Sequence, residues 1–143
     1  MSDRIFLDTN IFVYSVDAAT GAKAAIADNL IRRALAEQNA WISYQVIQEF
    51  LNVALRKFQV PLPVEQARRY LTTVFRSLGV VHSSLGLFSE ATEICSRHRL
   101  SWYDSLILAA ATEAGCSVLY TEDLQHGAKL NGILIENPFR PIA

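Results

Sequence analysis

The chain has 143 residues, 51% of them hydrophobic and 19% charged, with a formal net charge of −1. This composition excludes a disordered chain and supports a domain with a sizeable core, and it excludes a protein that is basic throughout, so any nucleic-acid contact must come from local placement of charge. No apolar run reaches the ~18 residues of a membrane span, and no signal-like series precedes the first strand-like run, so the expectation is a cytoplasmic protein without membrane contact.

Residues 4–7 read as a first strand, and 22–38, "AKAAIADNLIRRALAEQ", have helical composition with Ala24, Ile31 and Leu35 on an apolar side. "AWISY" (40–44) is a short β-rich run, after which Ser43 is placed to cap a helix reaching about Phe58. Ile47, Phe50, Leu51, Ala54 and Phe58 share one face of it. "VPLP" (60–63) breaks that helix, and 64–78 form another, with Ala67, Tyr70, Leu71, Val74 and Leu78 as its stripe. Gly79 precedes the short run "VVH". Helices follow at 86–98 and 102–114, the second closed by Gly115. "SVLY" (117–120) is a strand, "TEDLQHG" a turn, and "GILIE" (132–136) a last strand. Short apolar strands alternating with longer helices predict one α/β domain over 1–143, a short, mostly parallel sheet with helices on both faces.

In such a sheet, ligands bind beyond the C-terminal strand ends. Four acids fall in that zone. Asp8 closes the first strand inside the apolar stretch "RIFLDTNIFVY", and Asp123 lies three residues beyond Tyr120. Glu49 is two turns into the helix after "AWIS", and Asp104 is in the first turn of the helix at 102–114. Each has a plain structural explanation. Asp8 can cap a short helix beginning near Asn10, Asp104 stands three residues after Ser101 as in a capping box, and Asp123 can hold the turn. Glu49 resists this treatment, because Gln45, Val46, Asn52 and Val53, its helical neighbours, are not basic.

Gathered at one sheet edge, the four have a joint explanation. A like-charge pair at ~4 Å costs roughly 4 kcal/mol at an effective dielectric of about 20. Such a cluster holds protons or a cation. An oxygen-only set suits Mg²⁺ or Mn²⁺, and a cation so held serves phosphate-ester hydrolysis. The histidines (His82, His98, His126) form no zinc spacing, and Cys95 and Cys116 read as reduced, buried thiols.

"FLDTNIFVY", "VIQEFLNV", "SWYDSLILAAA" and "LYTEDLQHG", in this order over essentially the whole chain, resemble the PIN-domain family, and most of all the VapC-type toxins of bacterial toxin–antitoxin pairs. The resemblance implies a PIN-like three-layer domain and a metal-dependent endoribonuclease using Mg²⁺ or Mn²⁺. It places the family's four acids on Asp8, Glu49, Asp104 and Asp123, with Thr121 as the polar residue of the last motif and Asn10 supporting the first acid. Asp8 and Asp104 are the expected core ligands. The motif favours Asp123 over its neighbour Glu122, and His126 is left out of the site. The family also implies an RNA substrate, a homodimer and a small antitoxin as partner. Trp41, Tyr70, Phe75 and Trp102, more aromatic surface than a small core obviously needs, point to an apolar helical dimer interface.

Two rivals stand beside this reading. One is a phosphatase or phosphoryl-transfer domain of similar build, against which Asn10 counts, since a dehalogenase-like phosphatase needs an acid there. The other is a non-catalytic binding module in which the acids are only caps and turn residues.

Overall fold

The computed structural model describes residues 3–140. The outermost positions of the expected domain, 1–2 and 141–143, lie outside the described residues. Six strands form one sheet in the order β3-β2-β1-β4-β6-β5. They are β1 (Ile5–Leu7), β2 (Ala40–Ser43), β3 (Gly79–Val81), β4 (Val118–Tyr120), β5 (Lys129–Leu130) and β6 (Ile133–Glu136). All pairings are parallel except the β5–β6 hairpin. The sequence reading contained no β5, and two residues are too few for a period to show.

Among the described residues, six α-helices connect the strands: α1 (Thr9–Val16), α2 (Ala22–Glu37), α3 (Tyr44–Arg56), α4 (Val64–Thr73), α5 (Leu85–His98) and α6 (Trp102–Glu113). From β1 the chain moves outward to β2 and β3, then returns across the sheet to β4. Right-handed crossovers in the two directions put α1–α4 on one face and α5–α6 on the other. The mixed α/β class and parallel-dominated sheet expected from the alternating elements are therefore observed.

The core is built from Phe6, Leu7, Ile42, Leu119 and Ile135 of the strands, all fully buried. Helix α6 buries every residue from Ser105 to Ala111, and its alanines let it lie close to the sheet. It ends in a Schellman motif, with the N–H of Cys116 on Ala111 and that of Gly115 on Thr112. Gly115 has φ +70°, which makes it the C′ residue the sequence indicated.

Helix α4 is shorter than the predicted 64–78, because Phe75–Ser77 tighten into a 3₁₀ turn before β3. That turn drives Phe75 into a cluster with Phe12, Phe50 and Tyr70, where Phe50 and Tyr70 stack at 4.6 Å. Tyr70 and Phe75 are thus core residues and no surplus for an interface. Trp41 is also spent internally. It lies under Arg4, and a Cβ on Gly79 would come within 2.3 Å of its ring.

Candidate active site

Strand order reverses between β1 and β4, which makes the space beyond their C-terminal ends the switch point of the sheet. Leu7 is in register with Tyr120, so the next residues, Asp8 and Thr121, are neighbours. The Asp8 N–H donates to Tyr120 O at 3.1 Å, and the Thr121 hydroxyl donates to Asp8 Oδ2 at 2.8 Å. Asp8 Oδ1 accepts from the Thr9 N–H at 2.7 Å at the start of α1. Asp8 is therefore a helix cap as well as a site residue, and it is 7% exposed.

Burial pushes the Asp8 carboxyl up to about 7, against the two hydrogen bonds, which favour its charged form; Asp123 and Glu49 raise it further. Partial desolvation also raises Asp123, although the residue as a whole is exposed, followed by the charges of Asp104 and Glu122.

A pocket of about 140 Å³ opens at this point, lined by Asp8, Thr9, Asn10, Gln45, Glu49, Val53, Tyr103, Asp104, Ile107 and Asp123. All four predicted acids line it, and none of the ten lining residues is basic. Glu49 reaches the pocket from α3, with the partner its own helix does not supply: Thr9 Oγ1 donates to Glu49 Oε1 at 2.9 Å. Asp104 arrives on the first turn of α6. Its N–H is capped by Ser101 Oγ at 3.1 Å, so that half of the box exists, while its carboxylate faces the pocket.

The turn after β4 separates its two acids. The Asp123 N–H donates to Thr121 Oγ1 at 3.1 Å, and its side chain lines the pocket. Glu122 turns toward Asn10, Tyr14 and Lys23. Asn10 lines the pocket but gives its amide to Glu122 Oε1 at 3.1 Å, so its bond goes to the turn and not to Asp8. His126 Nδ1 accepts the N–H of Asn137 and stays outside the pocket.

Thr9, Gln45 and Tyr103 were missed as site residues. Thr9 sits between Asp8 and Asn10, in the very motif quoted for the site. Gln45 Nε2 donates to Tyr103 O at 3.2 Å, tying α3 to α6 across the pocket, a contact no local pattern announces.

The donor set has the chemistry of a hard divalent cation site: oxygen ligands only, with no basic residue in the lining to compensate their charge. Among the described residues, no three acids or histidines stand close enough together to hold one ion as they are placed. Side-chain movement would be needed for three to share one.

The sequence profile of the PIN domain matches residues 5–128. The chain belongs to the PIN domain family. No curated protein sequence matches it. Among solved structures it is similar to VapC20 of Mycobacterium tuberculosis, described as a sarcin–ricin loop cleaving toxin (25% identity, 83% of this chain and 89% of that one, TM-score 0.62). It is also similar in fold to a chain of the DNA-bound VapBC of Salmonella typhimurium (20% identity, 96% and 99%, TM-score 0.66). A chain of a toxin–antitoxin complex from Klebsiella pneumoniae has the same fold (18% identity, 96% and 99%, TM-score 0.70).

Proposed function

We propose that this protein is a divalent-metal-dependent endoribonuclease and the toxin of a toxin–antitoxin pair. The observation that carries the reading is the convergence of Asp8, Glu49, Asp104 and Asp123, from four separate segments, on one pocket without a basic residue at the switch point of a PIN fold. Caps and turns account for backbone bonds at Asp8, Asp104 and Asp123; they do not account for four carboxylates around one space.

Asp8 and Asp104 would hold the cation, with Glu49 and Asp123 completing the pocket directly or through water. Bound there, Mg²⁺ or Mn²⁺ supplies an activated water and neutralises charge on the phosphate undergoing in-line displacement. Thr121 and Thr9 aim Asp8 and Glu49 by donating to them. No side chain has to act as nucleophile. Tyr103, 65% exposed, stands at the lip of the pocket, where an RNA backbone would pass.

The likeness to solved toxin–antitoxin complexes supports a small antitoxin as partner. Exposed Leu85, Phe88 and Trp102 on adjoining parts of α5 and α6 support a homodimer through that face. No described helix is long and apolar enough to cross a membrane.

The test is cleavage of RNA by the purified protein in Mg²⁺ or Mn²⁺ and in EDTA, beside a simple phosphate monoester. The expected result is internal cleavage of RNA with metal only, the monoester untouched, and no cleavage by Asp104→Asn. Parental cleavage by Asp104→Asn would reduce Asp104 to a residue of the helix cap and overturn the proposal.

A further inference from the structure

Glu122 is next to Asp123 and is the best-anchored side chain of the turn after β4. Its Oε1 accepts from Asn10 Nδ2 at 3.1 Å and from the Tyr14 hydroxyl, and its Oε2 pairs with Lys23 Nζ at 3.1 Å. Asn10 and Tyr14 are one turn apart on α1, and Lys23 belongs to α2. Lys23 is itself held, with Nζ 4.7 Å from the ring centre of Tyr14 and 5.7 Å from that of Phe139. An exposed ion pair alone would contribute little. Here one partly buried carboxylate gathers three donors from two helices, a geometry that fixes backbone as well as charge.

The rest of the turn is held by Leu124, which packs against the core, by the Asp123 N–H on Thr121 Oγ1 and by His126 Nδ1, which accepts the Asn137 N–H. Asp123, Gln125, His126 and Gly127 are exposed. Between Thr121, which is bound to Asp8, and Gly127, whose N–H reaches Ile135 O, Glu122 supplies the side-chain anchorage to the α1–α2 side. Its bond to Asn10 also fixes the side chain of a pocket-lining residue.

We infer that Glu122 is a positioning residue: by clamping the β4 turn to Asn10, Tyr14 and Lys23 it aims Asp123 and Asn10 into the acidic pocket and keeps its own charge out of it. This rests on the metal-site reading above. Two acids adjacent in sequence thus do different work, Asp123 facing the pocket and Glu122 holding it there.

The test compares Glu122→Ala with Glu122→Gln. Glutamine lacks the charge but keeps an oxygen that accepts from Asn10 and Tyr14; alanine loses both. Mn²⁺ affinity is read by electron paramagnetic resonance of the free ion, beside RNA cleavage and thermal melts in EDTA. Glu122→Ala is expected to weaken Mn²⁺ binding about ten- to a hundredfold, with kcat falling more than KM rises, and Glu122→Gln to stay close to the parent. Should Glu122→Ala fail to fold, the Tyr14→Phe/Lys23→Met double variant, which removes two of the three donors, is expected to weaken Mn²⁺ binding in the same direction. Parental Mn²⁺ affinity in a folded Glu122→Ala protein, or in the double variant if that must stand in, would overturn the inference. Equal losses with alanine and glutamine would overturn it too, by making charge the cause instead of geometry. A parent that binds no Mn²⁺ would overturn the metal-site reading first and this inference with it.

Discussion

Thr121 donates its hydroxyl to Asp8 Oδ2 across the seam where β1 and β4 run side by side, and Thr121 Oγ1 itself accepts the N–H of Asp123. One buried hydroxyl, 1% exposed, therefore links the acid after the first strand to the acid after the fourth. Thr121→Val keeps the shape and leaves both partners unsatisfied, at a cost of about 1–3 kcal/mol. Urea unfolding should show that loss for valine and only a small one for Thr121→Ser, which retains the hydroxyl. Equal stability of the valine variant and the parent would remove Thr121 from the support of the site.

The metal-free protein should have a characteristic pH dependence. Asp8 moves from 3.8 to about 7 on folding, so the folded state holds this proton more tightly than the unfolded chain. Its contribution to stability is complete below about pH 4 and is lost as pH rises through 7. Melting temperatures in EDTA should fall over that window, and Asp8→Asn should flatten the fall. Parallel profiles for parent and variant would assign the effect to other groups.

Proton competition should also govern metal binding. A carboxyl near 7 must give up its proton to become a ligand. Mn²⁺ affinity measured at pH 6 should be clearly weaker than at pH 8. Affinity independent of pH over that interval would exclude Asp8 as a ligand.

Gly79 lies against the Trp41 ring so closely that a Cβ would fall 2.3–2.6 Å from three of its atoms. Gly79→Ala should force the ring or β3 to shift and cost about 1–3 kcal/mol, read in the same unfolding experiment. Because this contact lies away from the acidic pocket, surviving Gly79→Ala protein should bind Mn²⁺ as the parent does.

The proposed dimer is tested on the same apolar face that suggests it. Light scattering should give a dimer mass for the parent and a monomer for Leu85→Asp/Phe88→Ser. A parent that stays monomeric across a wide concentration range would exclude this assembly.

Much of this was legible in the chain, for identifiable reasons. The parallel sheet followed from apolar runs too short for helices alternating with amphipathic segments, and the placing of the site beyond the C-terminal strand ends followed from that sheet, whereas the strand order and its reversal between β1 and β4 came only with the structure. Capping chemistry at Ser43, Ser101 and Gly115 fixed helix ends within a residue or two. The convergence of the acids could be expected because Asp8 and Asp123 follow strands and Asp104 opens a helix, and, for Glu49, two turns into its helix, because it has no basic helical neighbour and falls on an acid of the family the chain resembles. Contacts between segments distant in sequence were not legible. Thr9 to Glu49 and Gln45 to Tyr103 depend on how α1, α3 and α6 pack, and no local period encodes that. The same limit misdirected the reading of Tyr70 and Phe75, whose apolar stripe is equally that of a core and of an interface.

The central claim is that the four carboxylates are gathered to hold a cation. Thermal melts of the parent and Asp8→Asn, each in EDTA and in Mg²⁺, test it most directly. In EDTA the variant should melt higher than the parent, because it relieves a buried, repelled carboxyl. Mg²⁺ should raise the parent by the equivalent of about 2.7 kcal/mol at a hundredfold excess over its dissociation constant, and should do little for the variant. An Asp8→Asn protein no more stable than the parent in EDTA, with no response to Mg²⁺ in either, would contradict the account.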